Sequence, residues 1–194
     1  MTDEGIIEKG DNMSEKNKKW LYSLLEMLAV IVITIGIFKF VVIPVRIDGI
    51  SMENTLHDKS IAMINAIGVK EENIHRFDIV VIYSETLKEK IIKRVIGMPG
   101  DTIEFKDDIL YVNNQETPQD FLDKDFVEES KITYNAKNFT DDFKVTVNEG
   151  EYFVMGDNRL RSTDSRDLGA FTIDDIIGMK GLVIFPFDDV QWIK

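Results

Sequence analysis

Cysteine is absent from the 194 residues, which excludes disulfides, thiolate metal sites and a cysteine nucleophile. Histidine is nearly as scarce: His57 and His75 are the only two, too few for a histidine-rich metal centre. No metal or other cofactor is therefore expected. Basic residues are in the minority, with 23 Lys and Arg against 35 Asp and Glu and a net charge of −12. Such a surface has no footprint for phosphates, which excludes nucleic acid as a partner. It is compatible with a soluble domain that does not lie on anionic lipid through a basic face. No internal repeat occurs.

The chain does possess one long apolar run. Residues 1–19 are polar, mixed in sign and without an apolar period, and read as a tail ending in Lys16, Lys18 and Lys19. The run over residues 20–43 follows and reaches the roughly 20 residues at 1.5 Å each that cross a bilayer. Glu26 and Lys39 stand near its ends, where long side chains reach the interface, and Trp20 and Tyr22 suit the headgroup level. A buried core helix is the other reading, but a run this long is hard to cover in a small domain. A cleavable leader needs small residues at a cleavage site. This run passes instead into Phe40-Val41-Val42-Ile43-Pro44, so it is expected to persist as an anchor. The lysines before it favour the cytoplasmic side, which puts residues 44–194 outside the cytoplasm.

Beyond the anchor, strand patterns dominate. Val41–Asp48 is extended, with Pro44 suited to an edge, and Ile61–Asn65, Asp78–Tyr83 and Lys90–Ile96 read as strands. Thr102–Phe105 and Ile109–Val112 form a hairpin around Lys106-Asp107-Asp108. Phe143–Val147, Tyr152–Met155 and Leu182–Pro186 return to the strand pattern. Residues 113–142 are the most polar and read as an inserted cap, within which Asn138-Phe139-Thr140 fits the short glycosylation-acceptor pattern. Gly156–Gly169 is a long polar loop, and Phe171–Ile177 is expected as a short helical turn.

Three blocks carry chemistry. In Ile47-Asp48-Gly49-Ile50-Ser51-Met52-Glu53-Asn54-Thr55-Leu56, Ser51 follows a glycine beside which another backbone can approach. It is either a turn cap or a nucleophile with N–H groups at hand for an oxyanion. A nucleophile needs a base. His57 and His75 lie in undistinguished polar settings and read as surface histidines. Lys93, in Ile91-Ile92-Lys93-Arg94-Val95-Ile96, is the other candidate, since alternation puts it and Arg94 on opposite faces. An outward Lys would stay charged, whereas an inward one, desolvated by its neighbours, has a lowered pKa and can act as a base. The third block, Gly156-Asp157-Asn158-Arg159-Leu160-Arg161-Ser162-Thr163-Asp164-Ser165-Arg166, is either a solvated turn or a set of Asp–Arg pairs and hydroxyls that fixes the other two.

The segments Ile47–Leu56, Phe77–Ile82, Ile92–Asp101 and Gly156–Gly169, in that order behind an apolar anchor, resemble the bacterial type I signal peptidases, and more closely their compact Gram-positive form. The resemblance covers most of the chain from Trp20 onward. It implies a mainly β fold of coiled antiparallel sheets, of the signal-peptidase and repressor-protease kind, with a small cap and one N-terminal transmembrane helix. It implies Ser51 as the acylated nucleophile and its N–H as an oxyanion donor. Lys93 is then the general base, and Ser162 the hydroxyl that orients its amine. Asp157, Arg159, Asp164 and Arg166 form a supporting charged network. Ile47, Met52, Leu56 and Ile92 line shallow substrate pockets. The implied substrates are exported preproteins with Ala-x-Ala-like sites, bound in extended form along a strand edge. The lipid bilayer and the secretion translocase are the further partners.

Two positions depart from the family pattern. Asn54 stands where Pro is common, and Gly49 stands where Gram-negative members carry a Ser that assists the oxyanion, which leaves the second donor unassigned. Asn54 is the one feature that favours a catalytically silent relative acting as a chaperone or assembly factor. A self-processing regulator of the repressor type would lack an anchor and carry a DNA-reading segment.

Overall fold

The computed structural model describes residues 15–193; the first part of the expected tail, residues 1–14, lies outside the described residues. The chain divides into two units after Lys39. The first is a helix, α1 (Glu15–Phe40). Residues 15–19, expected as tail, are helical, because they contain neither Gly nor Pro and the apolar turns that follow propagate back through them. Asn17–Ile37 is long and apolar enough to cross a membrane, and none of it is buried. The interfacial placement of the Lys39 side chain lies outside the described residues. The helix ends three residues before the expected Ile43. Val42 and Ile43 are β-branched, and Pro44 disfavours helical backbone at Ile43.

The second unit begins with β1 (Val42–Arg46), β2 (Ile61–Asn65), β3 (Ile79–Ser84), β4 (Glu89–Gly97), β5 (Thr102–Lys106), β6 (Ile109–Val112) and β7 (Gln115–Glu116). It continues through α2 (Lys124–Tyr134), β8 (Phe143–Thr146), β9 (Glu151–Met155), α3 (Ser165–Leu168), β10 (Phe171–Thr172), β11 (Ile176–Phe185) and β12 (Gln191–Ile193). One sheet has the order β1-β2-β11-β3-β4-β9-β10, with β12 added beside β11, and a smaller one has the order β7-β6-β5-β8. All pairings are antiparallel, so the expected mainly β architecture is present. Both turns of the smaller sheet are two-residue loops, Asp107-Asp108 and Asn113-Asn114, with all four residues at positive φ. Asp and Asn tolerate that region, and its twist matches the flanking strands.

Two expectations change. Phe171–Ile177 is not a helical turn throughout: Phe171 pairs with Tyr152 in β10, a single 3-10 turn spans Ile173–Asp175, and β11 starts at Ile176. Residues 113–142, expected as a cap, hold a helix, Lys124–Tyr134. Asp123 caps α2 by accepting from the Phe126 N–H at 2.9 Å, and Asn135 ends it in left-handed backbone. Only Ser130 of that helix is buried, which is why its apolar period is weak.

β4 borders three cores. Ile92 packs with Ile47, Met52 and Val81 in one core, while Ile91 and Val95 pack with Val80, Ile82 and Val154 in another. Its far end, through Ile96, enters a third core with Ile103, Phe105 and Phe153 under the smaller sheet. β4 pairs with β9 only from Arg94 onward, which leaves one edge of Glu89–Lys93 without a strand partner among the described residues. β1 is likewise a terminal strand. The sheet coils until these two edges flank one groove of about 590 Å³.

Gly97 lets β4 meet the third core. A Cβ there would lie 2.8 Å from Val147 and 3.0 Å from both Ile103 and Phe153. Gly97→Ala should therefore lower unfolding stability by about 1–3 kcal/mol, read as a shift of the denaturant midpoint of the detergent-solubilised chain.

Candidate active site

The loop between β1 and β2 is closed at its neck. The Ile47 N–H donates to the Ser60 carbonyl at 2.8 Å and the Lys59 N–H to the Ile47 carbonyl at 2.7 Å. Gly49 has φ +98° with open space where a Cβ would be. The turn, not the approach of another backbone, is what requires glycine there. Its N–H is taken by Asp58 Oδ1 at 2.8 Å. Met52 and Leu56, each 1 % exposed, root the loop in the core, and Ser51 is left half-buried. The Ser51 carbonyl accepts from the Asn158 N–H at 3.0 Å. Gly156 is pressed against that carbonyl and against the Ser162 side chain, so closely that any Cβ at Gly156 would overlap both. Among the described residues no group accepts from the Ser51 N–H.

β4 brings Lys93 to this loop, in register with Val80. The side chain is inward, 3 % exposed, with Nζ 2.9 Å from Ser51 Oγ and 3.1 Å from the Ile92 carbonyl. Burial lowers its pKa from 10.5 to about 8, against upward pulls from Asp164 and Asp157. A neutral amine keeps two N–H donors and one lone pair. One donor suits the Ile92 carbonyl, and the lone pair can accept the Ser51 hydroxyl proton.

The charged loop is paired, though not entirely as its sequence suggests. Asp164 and Arg166 form a fork, Oδ1 to Nε and Oδ2 to Nη2, both at 2.8 Å. Asp164 also accepts from the Gly156 N–H at 2.9 Å. Burial alone would raise the Asp164 pKa, but Arg166 and that amide hold it below the ordinary carboxylate value. Asp157 does not pair with Arg159. Its partner is Arg94, with Nε on Oδ1 at 2.8 Å and Nη2 on Oδ2 at 2.6 Å, and Thr55 Oγ1 donates to Oδ2 at 2.6 Å. Arg159 turns to the cap instead. It donates to the Gly156 carbonyl at 3.0 Å, to Thr140 Oγ1 at 3.1 Å and to Gln119 Oε1 at 2.5 Å, and its guanidinium lies over the Phe105 ring. Thr140, the hydroxyl of the glycosylation-like pattern, is thus a buried acceptor.

Ser162 Oγ is buried without a hydrogen-bond partner among the described residues, so no bond to Lys93 is formed. His57 bonds Glu53 at 2.9 Å and His75 lies 3.5 Å from Asp78, both exposed. Ile47, Met52 and Ile92 line the groove beside Ser51 and Lys93. Leu56 does not: it is a core side chain, one helical turn beyond Met52 and facing inward.

The family model described as "Signal peptidase, peptidase S26" matches residues 18–185. The chain belongs to this signal peptidase family. It is 39 % identical over 193 residues to signal peptidase I T of Bacillus subtilis strain 168, covering 96 % of this chain and 98 % of that one. It is 38 % identical to a signal peptidase I of Bacillus amyloliquefaciens over the full length of both. A signal peptidase I of Streptococcus pneumoniae serotype 4 is 38 % identical over 73 % of this chain and 81 % of its own.

Within this signal peptidase, sequence reasoning missed Arg94, Thr55 and Thr163, the last of which also lines the groove. Arg94 carried a signal: a guanidinium inside an apolar strand needs a buried carboxylate, and Asp157, expected in the charged network, had no individual partner assigned to it. Gln119 and Thr140 carried none, since uncharged polar residues are ordinary in a polar cap.

Lys93 has a direct consequence for stability. Its folded pKa of about 8 lies below the unfolded value of 10.5, so between those values the unfolded chain binds more protons and stability rises with pH. At pH 7 the folded state must carry a buried ammonium. Lys93→Met removes it, and should be more stable than the parent by up to about 3 kcal/mol at pH 7. The gap should close towards pH 10.5 in denaturant titrations.

Proposed function

We propose that this chain is a signal peptidase I, a membrane-anchored serine endopeptidase that removes N-terminal signal peptides from exported preproteins, with Ser51 as nucleophile and Lys93 as general base. One observation carries the reading: the buried Lys93 amine sits 2.9 Å from Ser51 Oγ. The groove supports it. An extended peptide between the free edges of β1 and β4 finds backbone partners on both sides, with shallow apolar walls from Ile47, Met52 and Ile92. Such walls suit small residues of the Ala-x-Ala kind.

In the proposed reaction neutral Lys93 takes the Ser51 proton as Oγ attacks the scissile carbonyl. The unengaged Ser51 N–H receives the developing oxyanion. The Lys93 ammonium then returns its proton to the leaving amine, and water, activated by the same amine, hydrolyses the acyl-enzyme. Ser162, buried with a free hydroxyl, is assigned to orienting the amine, and Asp157, Asp164, Arg159 and Arg166 to holding the loops. The Gly49 N–H is occupied by Asp58, so it is not the second oxyanion donor. Asn54 leaves the Ser51–Lys93 contact intact, and nothing favours a silent relative. Lys16, Lys18 and Lys19, in the first turns of α1, favour a cytoplasmic start for the helix, and the proposed orientation has the β unit outside the cell membrane, where exported chains emerge from the translocase.

Ser51→Ala and Lys93→Met should each abolish release of a mature N-terminus from a purified preprotein, followed by mass spectrometry. Because the protonated amine cannot act as a base, kcat/KM of the parent should climb about tenfold per pH unit and level off near pH 8. Full activity in Lys93→Met, or a limb at the histidine value near 6.5, would remove Lys93 as the base.

A further inference from the structure

The face of the Arg94 guanidinium is covered by a residue from the cap. The Phe121 ring centre lies 4.1 Å from Arg94 Cζ, and the ring leans on Phe77 at 5.1 Å between centroids. Arg94 Nη1 is meanwhile fixed on the Phe77 carbonyl at 2.8 Å. We propose that Phe121 is a positioning residue for the Ser51–Lys93 pair, acting through Arg94, Asp157 and Thr55. The inference rests on the catalytic reading given above.

Two connections converge on the Asp157 carboxylate, and a third runs through the backbone beside it. Arg94 grips it with two bonds and is joined by a peptide bond to Lys93. Thr55, in the turn that follows Ser51, donates to it at 2.6 Å and is itself bonded through its N–H to the Met52 carbonyl. Asn158, the residue after Asp157, holds the Ser51 carbonyl. One ion pair therefore sets both the height of Lys93 and the seat of Ser51. Its rigidity depends on staying dry, because a charge pair loses most of its strength in water. The side chains of Arg94 and Asp157 are 7 % and 0 % exposed, and Phe121 is the cover over the cation, with cation–π attraction fixing the guanidinium plane. A pocket of about 270 Å³ already reaches this network, lined by Thr55, Arg94, Phe121 and Trp192. With the ring removed, water has a route to the pair. Phe121 and Arg94 are absent from the lining of the substrate groove, so the effect falls on alignment rather than on binding.

Steady-state cleavage of a preprotein by the full chain in detergent tests this. Phe121→Ala should lower kcat about tenfold, the scale of a sub-ångström misalignment, with KM within about twofold. Phe121→Tyr, which keeps the ring, should restore kcat to within about twofold of the parent. Thr55→Val should lower kcat about fivefold, and because both act on one ion pair the double variant should stay within about threefold of the worse single. Ile132→Ala, on the exposed face of α2, should change nothing. If Phe121→Ala does not fold, Phe121→Leu carries the comparison, with an expected kcat loss of about threefold. Additive losses in the double variant, a loss confined to KM, or an unchanged kcat while Ser51→Ala is dead would overturn this inference alone. Activity in Ser51→Ala would overturn the catalytic reading and this inference with it.

Discussion

The structure around Ser51 is arranged to keep one amine out of water. Lys93 lies in a strand between residues of two hydrophobic cores, and its desolvation is the largest influence on its titration. Desolvation alone would be opposed by nearby carboxylates: Glu89 on the same strand raises the pKa a little, and the two stronger pulls come from Asp164 and Asp157. Each is locked in a fork with its own arginine, Arg166 and Arg94. A forked carboxylate has its field largely cancelled at a distance while still serving as a rigid brace. The charged loop that looks like a solvated turn in sequence is thus a neutralised frame. The result is a lysine that is buried, unpaired with any carboxylate among the described residues, and within reach of a hydroxyl.

The sheet makes this placement possible and protects what it exposes. A free edge on β4 and another on β1 would ordinarily invite pairing with a second chain. Here they flank one concave groove rather than a flat rim, and they carry Pro44 and Arg46 on one side and Glu89 and Lys90 on the other. Proline and charges of both signs discourage sheet-to-sheet association. A single extended peptide can still enter from the open side. The same edges that a soluble β protein must blunt are therefore available for recognition, at a place where the Ser51 loop and Lys93 already meet.

Some strands were legible because one face is buried and alternation survives, as in Ile61–Asn65 and Ile109–Val112, whose bounds agree with the pattern, and others, such as Ile79–Ser84, because burial on both faces leaves a short continuous apolar run. The cap helix was not, because a helix with one buried side chain leaves no periodic trace. The Ser51 and Lys93 segments were legible from local context, but what binds them together was not. Arg94 pairs with a residue 63 positions away and Thr55 with one 102 positions away, and no local rule ranks Arg94 over Arg159 as the partner of Asp157. Leu56 was misplaced for a simpler reason. An apolar residue near a reactive serine can face the groove or the core, and the turn from Met52 to Leu56 sends it to the core.

The proposed chemistry gives substrate binding a second task. With a pKa of about 8, only about a tenth of Lys93 is neutral at pH 7 in the empty groove. Its remaining contact with solvent is on the groove side, since Lys93 lines that cavity together with Ser51 and Thr163. A peptide laid between β1 and β4 covers this side and removes the last water. Further desolvation moves a lysine pKa downward. Some of the hydrogen-bonding energy between peptide backbone and strand edges is then converted into free base rather than into tighter binding, which raises kcat instead of lowering KM. A chain that fills the groove only partly leaves the amine wet and protonated. Discrimination against such chains would follow from the state of the base itself, even though the pocket walls are shallow and make few specific contacts.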